Sequence, residues 1–323
     1  MVKQDKDIIW AVLLNFGLNM WNDQPLREYK NFTPYELSLE SVADHLRFDE
    51  AVWWRVTGRM AEAGMNMVVI DVGEGIQLKS HPELAVKGSW TIERFRAELD
   101  RLRNMGLEPI PKLNFSAAHD IWLKDYSRML STPEYYRVCE DVIDEVGEIF
   151  DKPRFFHLGY DEENWKCQRF NLYAAVRQGE HWWHDFLKIS GFAEKRGMRP
   201  WIWSDYSWEH CEEFLCRMPR SVVQSNWYYG LQFEGATDER TKIRCEMYGK
   251  LADAGFDEIP CGSNNDTDKN FSAMVPFCDK VIAPERLNGF MMAPWFATVP
   301  YMEKRLLRAI DQVKLAMKAR ASQ

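Results

Sequence analysis

The chain has 323 residues, of which 46% are hydrophobic, and its 41 Lys and Arg against 49 Asp and Glu give a formal net charge of -8. This apolar content is enough for a large core, in one big domain or two ordinary ones. The acidic balance and the lack of a long basic run argue against a nucleic-acid partner.

Cysteine usage and the first residues bear on the compartment. The seven Cys are odd in number and contain no CxxC pair, so we expect reduced thiols and neither a disulfide framework nor a zinc site. No cofactor is expected either. The apolar run Ile8–Leu14 is too short to span a bilayer, and we expect no membrane partner. Unpaired thiols favour a soluble cytoplasmic protein, and an exported protein that has lost a signal peptide is the alternative.

Apolar segments of strand length recur along the chain, each followed by a longer segment with helical spacing. The apolar runs do not alternate strictly with polar residues, which is typical of strands covered on both faces. The predicted strands are Trp10–Gly17, Met65–Asp71, Leu107–Asn114, Arg154–Tyr160, Arg199–Asp205, Ser221–Trp227, Glu258–Ser263 and Gly289–Trp295. The predicted helices are Asp49–Gly64, Thr91–Gly106, Thr132–Phe150, Gly179–Gly197, Trp208–Met218, Asp238–Gly255, Asp268–Asp279 and Tyr301–Lys318.

Eight strands alternating with eight helices predict a single-domain (β/α)8 TIM barrel over residues 1–323. A doubly wound open sheet is the competing fold. If it bound nucleotides, it would usually carry a Gly-rich phosphate turn after an early strand. The segment NFGLNMWND, which begins at Asn15, is not such a turn, and the barrel is therefore favoured.

In a (β/α)8 barrel the active site lies at the carboxyl ends of the strands. Carboxylates, amides and Trp follow several predicted strands at this point. This mixture suits a sugar, because rings cover its C–H faces while polar groups bind its hydroxyls and acetal. The candidate site residues are Asp71, Glu74, Asn114, His119, Asp161, Glu162, Trp203, Asp205, Trp227, Tyr228 and Trp295.

The stretch RFFHLGYDEENW ends in a run of carboxylates and has two interpretations. The acidic residues could cap a following helix and favour its positive N-terminus. Alternatively they could carry catalysis at the barrel mouth, which we favour because the run follows an apolar strand. A metal site is a rival use of such carboxylates. However, His181 and His184 lie among Trp residues on a helix face, where packing or solvent exposure is the expected role, and no metal is expected.

Several segments resemble the catalytic barrel of glycoside hydrolase family 20, the β-N-acetylhexosaminidases. The most specific match is FHLGYDEE, which resembles the family's His-x-Gly-Gly-Asp-Glu signature. GMNMVVIDVGEGIQLKSHPEL and GLEPIPKLNFSAAH resemble its strand-two and strand-three segments. PWIWSD, VVQSNW and GFMMAPWF resemble the Trp-bearing ends of strands five, six and eight, so the resemblance extends over most of the chain.

The resemblance implies a retaining exo-glycosidase whose nucleophile is the substrate's own 2-acetamido carbonyl. Asp161 would orient and polarise the acetamido group, and Glu162 would protonate the leaving oxygen and then activate water. His119 would support both carboxylates through a hydrogen-bonded network. The implied partner is a carbohydrate with a β-linked amino sugar or a related glycoside. The −1 subsite would be walled by Trp203, Trp227 and Trp295.

Adjacent carboxylates at a strand end also suggest two roles on physical grounds. Consecutive side chains point in different directions, so one carboxylate can stay ionised beside a developing positive charge. The other, pressed against Trp rings and near a like charge, is expected to have a raised pKa and to act as the acid. We expect Glu162 to be this acid, because Glu163 should begin the following loop or helix.

The sequence departs from the family's pattern at several positions. Tyr160 stands where the signature has its second Gly, and Asn114 stands where the family has an acidic residue. The strand-one Arg has no match, with Asn19 nearest, and the strand-seven Tyr has no counterpart unless Tyr228 or Tyr229 replaces it. These departures weaken the inference to an N-acetylhexosamine more than the inference to a glycosidase.

Two alternatives to a hexosaminidase-like enzyme stay open. The chain could be a non-catalytic, degenerate carbohydrate-binding barrel, since several expected sugar contacts are missing. It could also be a glycosidase of different sugar specificity, retaining or inverting, in which Glu162 pairs with Asp205 or Glu74.

Overall fold

The computed structural model describes residues 8–29 and 31–322. Its strands are β1 (Ile9–Asn15), β2 (Met67–Asp71), β3 (Glu108–Lys112), β4 (Phe155–Gly159), β5 (Arg199–Trp203), β6 (Val223–Ser225), β7 (Cys261–Gly262) and β8 (Gly289–Met292). They form one sheet of eight strands in the order β6-β5-β4-β3-β2-β1-β8-β7, and each described pairing is parallel. Parallel bridges from Gln224 to Glu258 and from Trp227 to Cys261 bring the two end strands together, so the sheet is nearly closed.

Helices follow the strands along the chain, and the predicted (β/α)8 barrel is confirmed. They are α1 (Pro34–Leu39), α2 (Glu50–Glu62), α3 (Ile92–Asn104), α4 (Pro133–Ile149), α5 (Glu180–Lys195), α6 (Tyr206–Glu209), α7 (Cys211–Arg217), α8 (Glu239–Asp253), α9 (Asn270–Val281) and α10 (Glu303–Ala321). Short 3₁₀ segments cover Pro82–Leu84, Ile121–Arg128 and Pro300–Met302. Within the described residues, no helix has both the length and the apolar content needed to cross a membrane.

Two local differences from the predicted elements have identifiable causes. The predicted helix Trp208–Met218 is split into α6 and α7, because His210 leaves the helical backbone region and its ring stacks 4.3 Å from that of Tyr206. Helix α1 was not predicted. Its start carries a sequence signal, since Thr33 and Glu36 form a capping box with Pro34 in the first turn.

The strands are buried on both faces, as their continuous apolar sequences predict. Alternate residues face the barrel axis and pack into one apolar cluster, while the others pack against the helices in a second. Trp201 and Trp203 fill the barrel interior beside His157, whose ring lies 5.0 and 4.6 Å from theirs. Because this interior is packed, it is a core and not a pore, and the open space lies beyond the strand ends.

One buried carboxyl has no obvious structural partner. Glu258 is fully buried beside the start of β7, and both of its carboxyl oxygens lack a hydrogen-bond partner among the described residues. Burial raises the pKa of Glu258 well above its ordinary value, so the folded protein holds this carboxyl in its neutral form.

We expect Glu258 to make the protein less stable as the pH rises. A carboxyl whose folded pKa exceeds its unfolded value of about 4.3 stabilises the fold at low pH, and this contribution is lost as the pH rises towards the folded pKa. Glu258→Gln removes the titration, so the free energy of unfolding of the wild type relative to this variant should fall between pH 5 and 8. Urea unfolding at several pH values measures this, and parallel pH curves for the two proteins would contradict it.

Candidate active site

The chain turns sharply where β4 ends, and the turn places the acidic run at the barrel mouth. Gly159, Tyr160 and Glu162 have φ angles of 73°, 72° and 55°, which non-glycine residues seldom adopt. A Cβ at position 159 would lie 2.0 Å from Asn114 Oδ1, so only glycine fits there. Such a backbone persists only where its surroundings hold it, and two polar side chains from neighbouring strands do so.

Asn114, which follows β3, supports the turn from one side. Its Oδ1 accepts hydrogen bonds from the backbone N–H of Tyr160 at 3.1 Å and of Ser116 at 3.0 Å. Its Nδ2 donates to Asp161 Oδ1 at 2.7 Å. One buried carboxamide therefore fixes both the backbone of the turn and the orientation of the Asp161 carboxylate.

Asp205, which follows β5, supports the turn from the other side. Its Oδ2 accepts a hydrogen bond of 2.8 Å from the backbone N–H of Glu162, while its Oδ1 is buried without a partner among the described residues. Burial, reinforced by the nearby charge of Asp161, raises the pKa of Asp205 to about 8. The Asp205 side chain thus contacts the acidic run through the backbone of Glu162.

His119 lies between the two carboxylates. Its Nε2 is 3.5 Å from Asp161 Oδ2 and 3.5 Å from Glu162 Oε2, and the ring is almost fully buried. Burial lowers the pKa of His119, but the charges of Asp161 and Glu162 outweigh it and raise the pKa to about 9. The imidazole is therefore a cation that balances part of the negative charge at neutral pH.

The expected raised pKa of Glu162 is not what the structure supports. Burial does raise the pKa of this carboxyl, yet the adjacent charged His119 overcomes burial and leaves the pKa below its ordinary value. The charge of His119 could not be weighed against the burial of Glu162 from the sequence, because that balance depends on the 3.5 Å contact between their side chains.

Glu163, the third carboxylate of the run, points away from this pair. Its side chain is 4% exposed and forms an ion pair of 2.5 Å with Arg177, which is itself bonded to Asp185 at 3.1 Å. Glu163 Oε2 also accepts from the backbone N–H of Ala117 at 3.0 Å. Glu163 therefore connects the loops after β3 and β4. Its structural role goes beyond the predicted one of beginning a loop or helix.

Aromatic rings wall a cavity of about 360 Å³ above Asp161 and Glu162. The rings of Trp203 and Trp295 lie 5.6 Å apart, and Trp295 Nε1 donates to the Tyr229 hydroxyl at 2.9 Å. Trp295 has a φ of 58°, so its backbone is also strained. The aromatic residues of this inner part are Trp21, Trp203, Trp227, Tyr229 and Trp295.

The structure brings some of the sequence-predicted residues to the cavity and places others elsewhere. Those that line it are His119, Asp161, Glu162, Trp203, Trp227 and Trp295. Asn114 and Asp205 are not among its lining residues and contact the turn after β4.

Three predicted residues have structural partners away from the cavity lining. Asp71 is buried in an ion pair with Lys112. Glu74 is buried and accepts from the backbone N–H groups of Leu18 at 2.9 Å and Asn19 at 3.0 Å, so it is not available to pair with Glu162. Tyr228 packs its ring 5.1 Å from Phe233, and its neighbour Tyr229 faces the cavity in its place.

Residues of the outer cavity come from loops, α1 and α10, and they were not predicted from the sequence. Arg169 stacks 4.4 Å from the Phe170 ring, and Arg305 lies 5.0 Å from the Phe296 ring. Asp23 Oδ1 accepts from the backbone N–H of Leu172 at 2.9 Å, which joins the loops after β1 and β4. Such loop-to-loop pairing leaves no periodic signal in the sequence.

The fold and these strand-end carboxylates define a (β/α)8 barrel with a candidate active site, and several solved structures are similar to it. The chain is similar to Flavobacterium johnsoniae chitobiase, with a TM-score of 0.55 and 15% identity over 84% of this chain and 50% of that one. It is similar to the β-N-acetylhexosaminidase from Bacteroides fragilis, with a TM-score of 0.60 and 11% identity over 94% of this chain and 65% of that one. Dispersin B gives a TM-score of 0.53 and 13% identity, over 83% of this chain and 95% of that one.

The resemblance to glycoside hydrolase family 20 is thus confirmed at the level of the fold. Similar structures include a protein named as a family 20 β-N-acetylhexosaminidase, from Streptomyces coelicolor, at 12% identity. The chain spans about half the length of the chitobiase and about two thirds of the Bacteroides protein. No protein-family model matches the sequence, and comparison with curated proteins gives no match.

Tyr160 occupies the signature's second Gly position, and its ring turns away from the cavity. The ring packs 5.6 Å from Trp182 and 5.1 Å from Phe186, between the barrel and α5. Its hydroxyl is buried without a hydrogen-bond partner among the described residues. The large side chain therefore belongs to the core and leaves the cavity free.

We expect Tyr160→Phe to keep or raise the free energy of unfolding, because it removes a buried hydroxyl that has no partner. Tyr160→Ala keeps the same backbone strain but empties the ring's space, which should cost roughly 3–5 kcal/mol. Guanidinium chloride unfolding of both variants measures this difference. Equal destabilisation by Phe and Ala would show that the hydroxyl, and not the ring, is what the site needs.

Proposed function

We propose that the chain is a glycoside hydrolase of the β-N-acetylhexosaminidase type, acting on a terminal sugar with retention of configuration. The observation that carries this proposal is the Asp161–Glu162 pair, held at the end of β4 beneath a cavity walled by Trp rings. The fold shared with family 20 enzymes supports it.

Glu162 is the proposed general acid and base. Its side chain is 36% exposed and faces the cavity, so it can reach a glycosidic oxygen. A sugar seated against Trp203 and Trp295 would displace water from this carboxyl, which favours its neutral form and opposes the effect of His119. The proton then passes to the leaving oxygen as the bond from C1 to that oxygen breaks.

Asp161 is the proposed partner of the 2-acetamido group. With Oδ1 fixed by Asn114, its Oδ2, which lies 3.5 Å from His119 Nε2, can accept the acetamido N–H and stabilise the positive charge that develops when the acetamido carbonyl oxygen bonds to C1. Water then attacks C1 from the opposite face and gives its proton to Glu162, which opens the ring intermediate. The two displacements together retain configuration at C1.

The hydroxyl contacts of the proposed −1 sugar must differ from those of the resembled family. Asn19, nearest to the family's Arg, accepts from the backbone N–H of Ala43 at 2.9 Å and from Arg47 at 2.8 Å, and is therefore occupied within the protein. Asn265 and Asp266, after β7, line the cavity. We assign these two residues to sugar hydroxyls, so the preferred hexose need not be N-acetylglucosamine.

The test is hydrolysis of 4-nitrophenyl N-acetyl-β-glucosaminide and N-acetyl-β-galactosaminide, beside the β-glucoside and β-galactoside. The wild type should release nitrophenol from at least one substrate, and Glu162→Gln should lower kcat on the order of 10²–10⁴-fold because it removes the acid. Glu212→Gln, on the exposed face of α7, makes the same change away from the cavity and should retain activity.

Three outcomes separate the alternatives. Inhibition by an N-acetylglucosamine thiazoline, which mimics the cyclic intermediate, would support participation of the acetamido group. Turnover of only the plain glycosides would point to a glycosidase of another specificity. Sugar binding without turnover of any substrate would favour a carbohydrate-binding barrel and overturn the proposed activity.

Asn114→Asp provides a second prediction, on the orientation of Asp161. Aspartate keeps the oxygen that holds Tyr160 and Ser116, but it loses the donor to Asp161 and places a like charge beside it. A hydrogen bond to a charged group contributes about 1.5–3 kcal/mol, so kcat/KM should fall about 10- to 100-fold. Asn104→Asp, at the exposed end of α3, adds the same charge as a control. Equal activity of the two variants would show that this bond does not position Asp161.

A further inference from the structure

We infer that His119, Asp161 and Glu162 form a binding site for a divalent transition-metal ion such as Zn²⁺. One ligand atom from each residue lies within 4.8 Å of the others. Two of the three separations, from His119 Nε2 to Asp161 Oδ2 and to Glu162 Oε2, are 3.5 Å. Ligand atoms around a tetrahedral zinc with bonds of 2.0–2.1 Å are separated by about 3.3 Å, so these two separations need only a small contraction. The two carboxylate oxygens, which lie within 4.8 Å of each other, would close on the ion as it binds.

The His119 imidazole is a second indication of a ligand, because its Nε2 has ionic contacts of 3.5 Å with the two carboxylates and no hydrogen bond among the described residues. The residue is 4% exposed, yet neither ring nitrogen has a hydrogen-bond partner among the described residues. Buried polar groups are almost always bonded, and an exception requires an explanation. A metal ion on Nε2 would satisfy this atom while bridging it to the two carboxylates.

The surroundings fit a cation with one open coordination position. Asn114 holds Asp161 Oδ1 and leaves Oδ2 for the metal, which is how outer residues commonly orient a ligand. Three protein ligands leave a fourth position towards the cavity, where water would complete a tetrahedron. The nearby Lys112 is paired with Asp71. An ion that displaces the proton of His119 Nε2 would be held by two carboxylates and a neutral imidazole, which match the charge of a dication.

The ligand set also selects among metals. An imidazole nitrogen with two carboxylate oxygens suits Zn²⁺ and related transition metals, whereas Mg²⁺ prefers oxygen ligands in an octahedron. Because the same two carboxylates are the proposed catalytic pair, a bound ion would compete with the substrate. Only this inhibition rests on the proposed function, since metal binding itself does not require hydrolysis.

Titration calorimetry of the full chain with ZnCl₂, after treatment with EDTA, tests the site. The wild type should bind one Zn²⁺ per chain, and Asp161→Asn and His119→Gln should each weaken binding by at least about tenfold. His181→Gln changes a histidine on the exposed face of α5 and should bind as the wild type does. MgCl₂ should give no comparable binding, and thermal unfolding of each variant checks that it folds.

Undiminished Zn²⁺ binding by both Asp161→Asn and His119→Gln would overturn the inference, as would no binding by the wild type. Loss of binding only in His181→Gln would place the ion on α5 and would also overturn it. If a glycoside is hydrolysed, Zn²⁺ should raise KM and leave kcat unchanged. Activation by Zn²⁺ would contradict the proposed competition between the ion and the substrate. Zinc binding with no hydrolysis of any glycoside would refute the proposed function while leaving the metal site intact.

Discussion

The candidate site depends on the hydrogen bonds of the Asn114 carboxamide. This carboxamide joins β3 to the strained turn after β4, because Oδ1 accepts from the Tyr160 N–H while Nδ2 donates to Asp161. Both ends of the group are used, so the amide cannot rotate without losing a bond to the backbone or to the carboxylate. Gly159 allows the close approach that these bonds need. The position of the carboxylate thus follows from packing between two strands, independently of any ligand.

Charge balance is the second constraint, and it explains why three acidic groups can lie close together. Asp161 and Glu162 share His119, whose raised pKa makes it a counter-ion, and Asp205 has a pKa raised by burial. Glu163 is separated from this group by its own ion pair with Arg177. A run of consecutive carboxylates is therefore divided between a site and a structural support, which a reading of the sequence alone cannot distinguish.

The barrel could be predicted from the sequence because its signal is repeated along the chain. Apolar runs of strand length, each followed by a segment with helical spacing, predicted the strands. The polar and aromatic residues after those strands predicted the end of the barrel where the cavity lies, with six of its lining residues. The side-chain partners could not be predicted. Glu74 resembles a site residue by position, yet it bonds the backbone of Leu18 and Asn19. Such long-range bonds depend on how loops fold back, and loops carry no periodicity.

The division between strand-held and loop-held residues also bears on specificity. The proposed chemistry rests on residues fixed by the packing of β3, β4 and β5, where a shift of one side chain disturbs its bonded neighbours. The outer cavity comes from the loops after β1, β4 and β7 and from α1 and α10, which can change without moving that centre. Residues of the outer cavity could therefore be exchanged while the carboxylate pair, held by the strands, keeps its position.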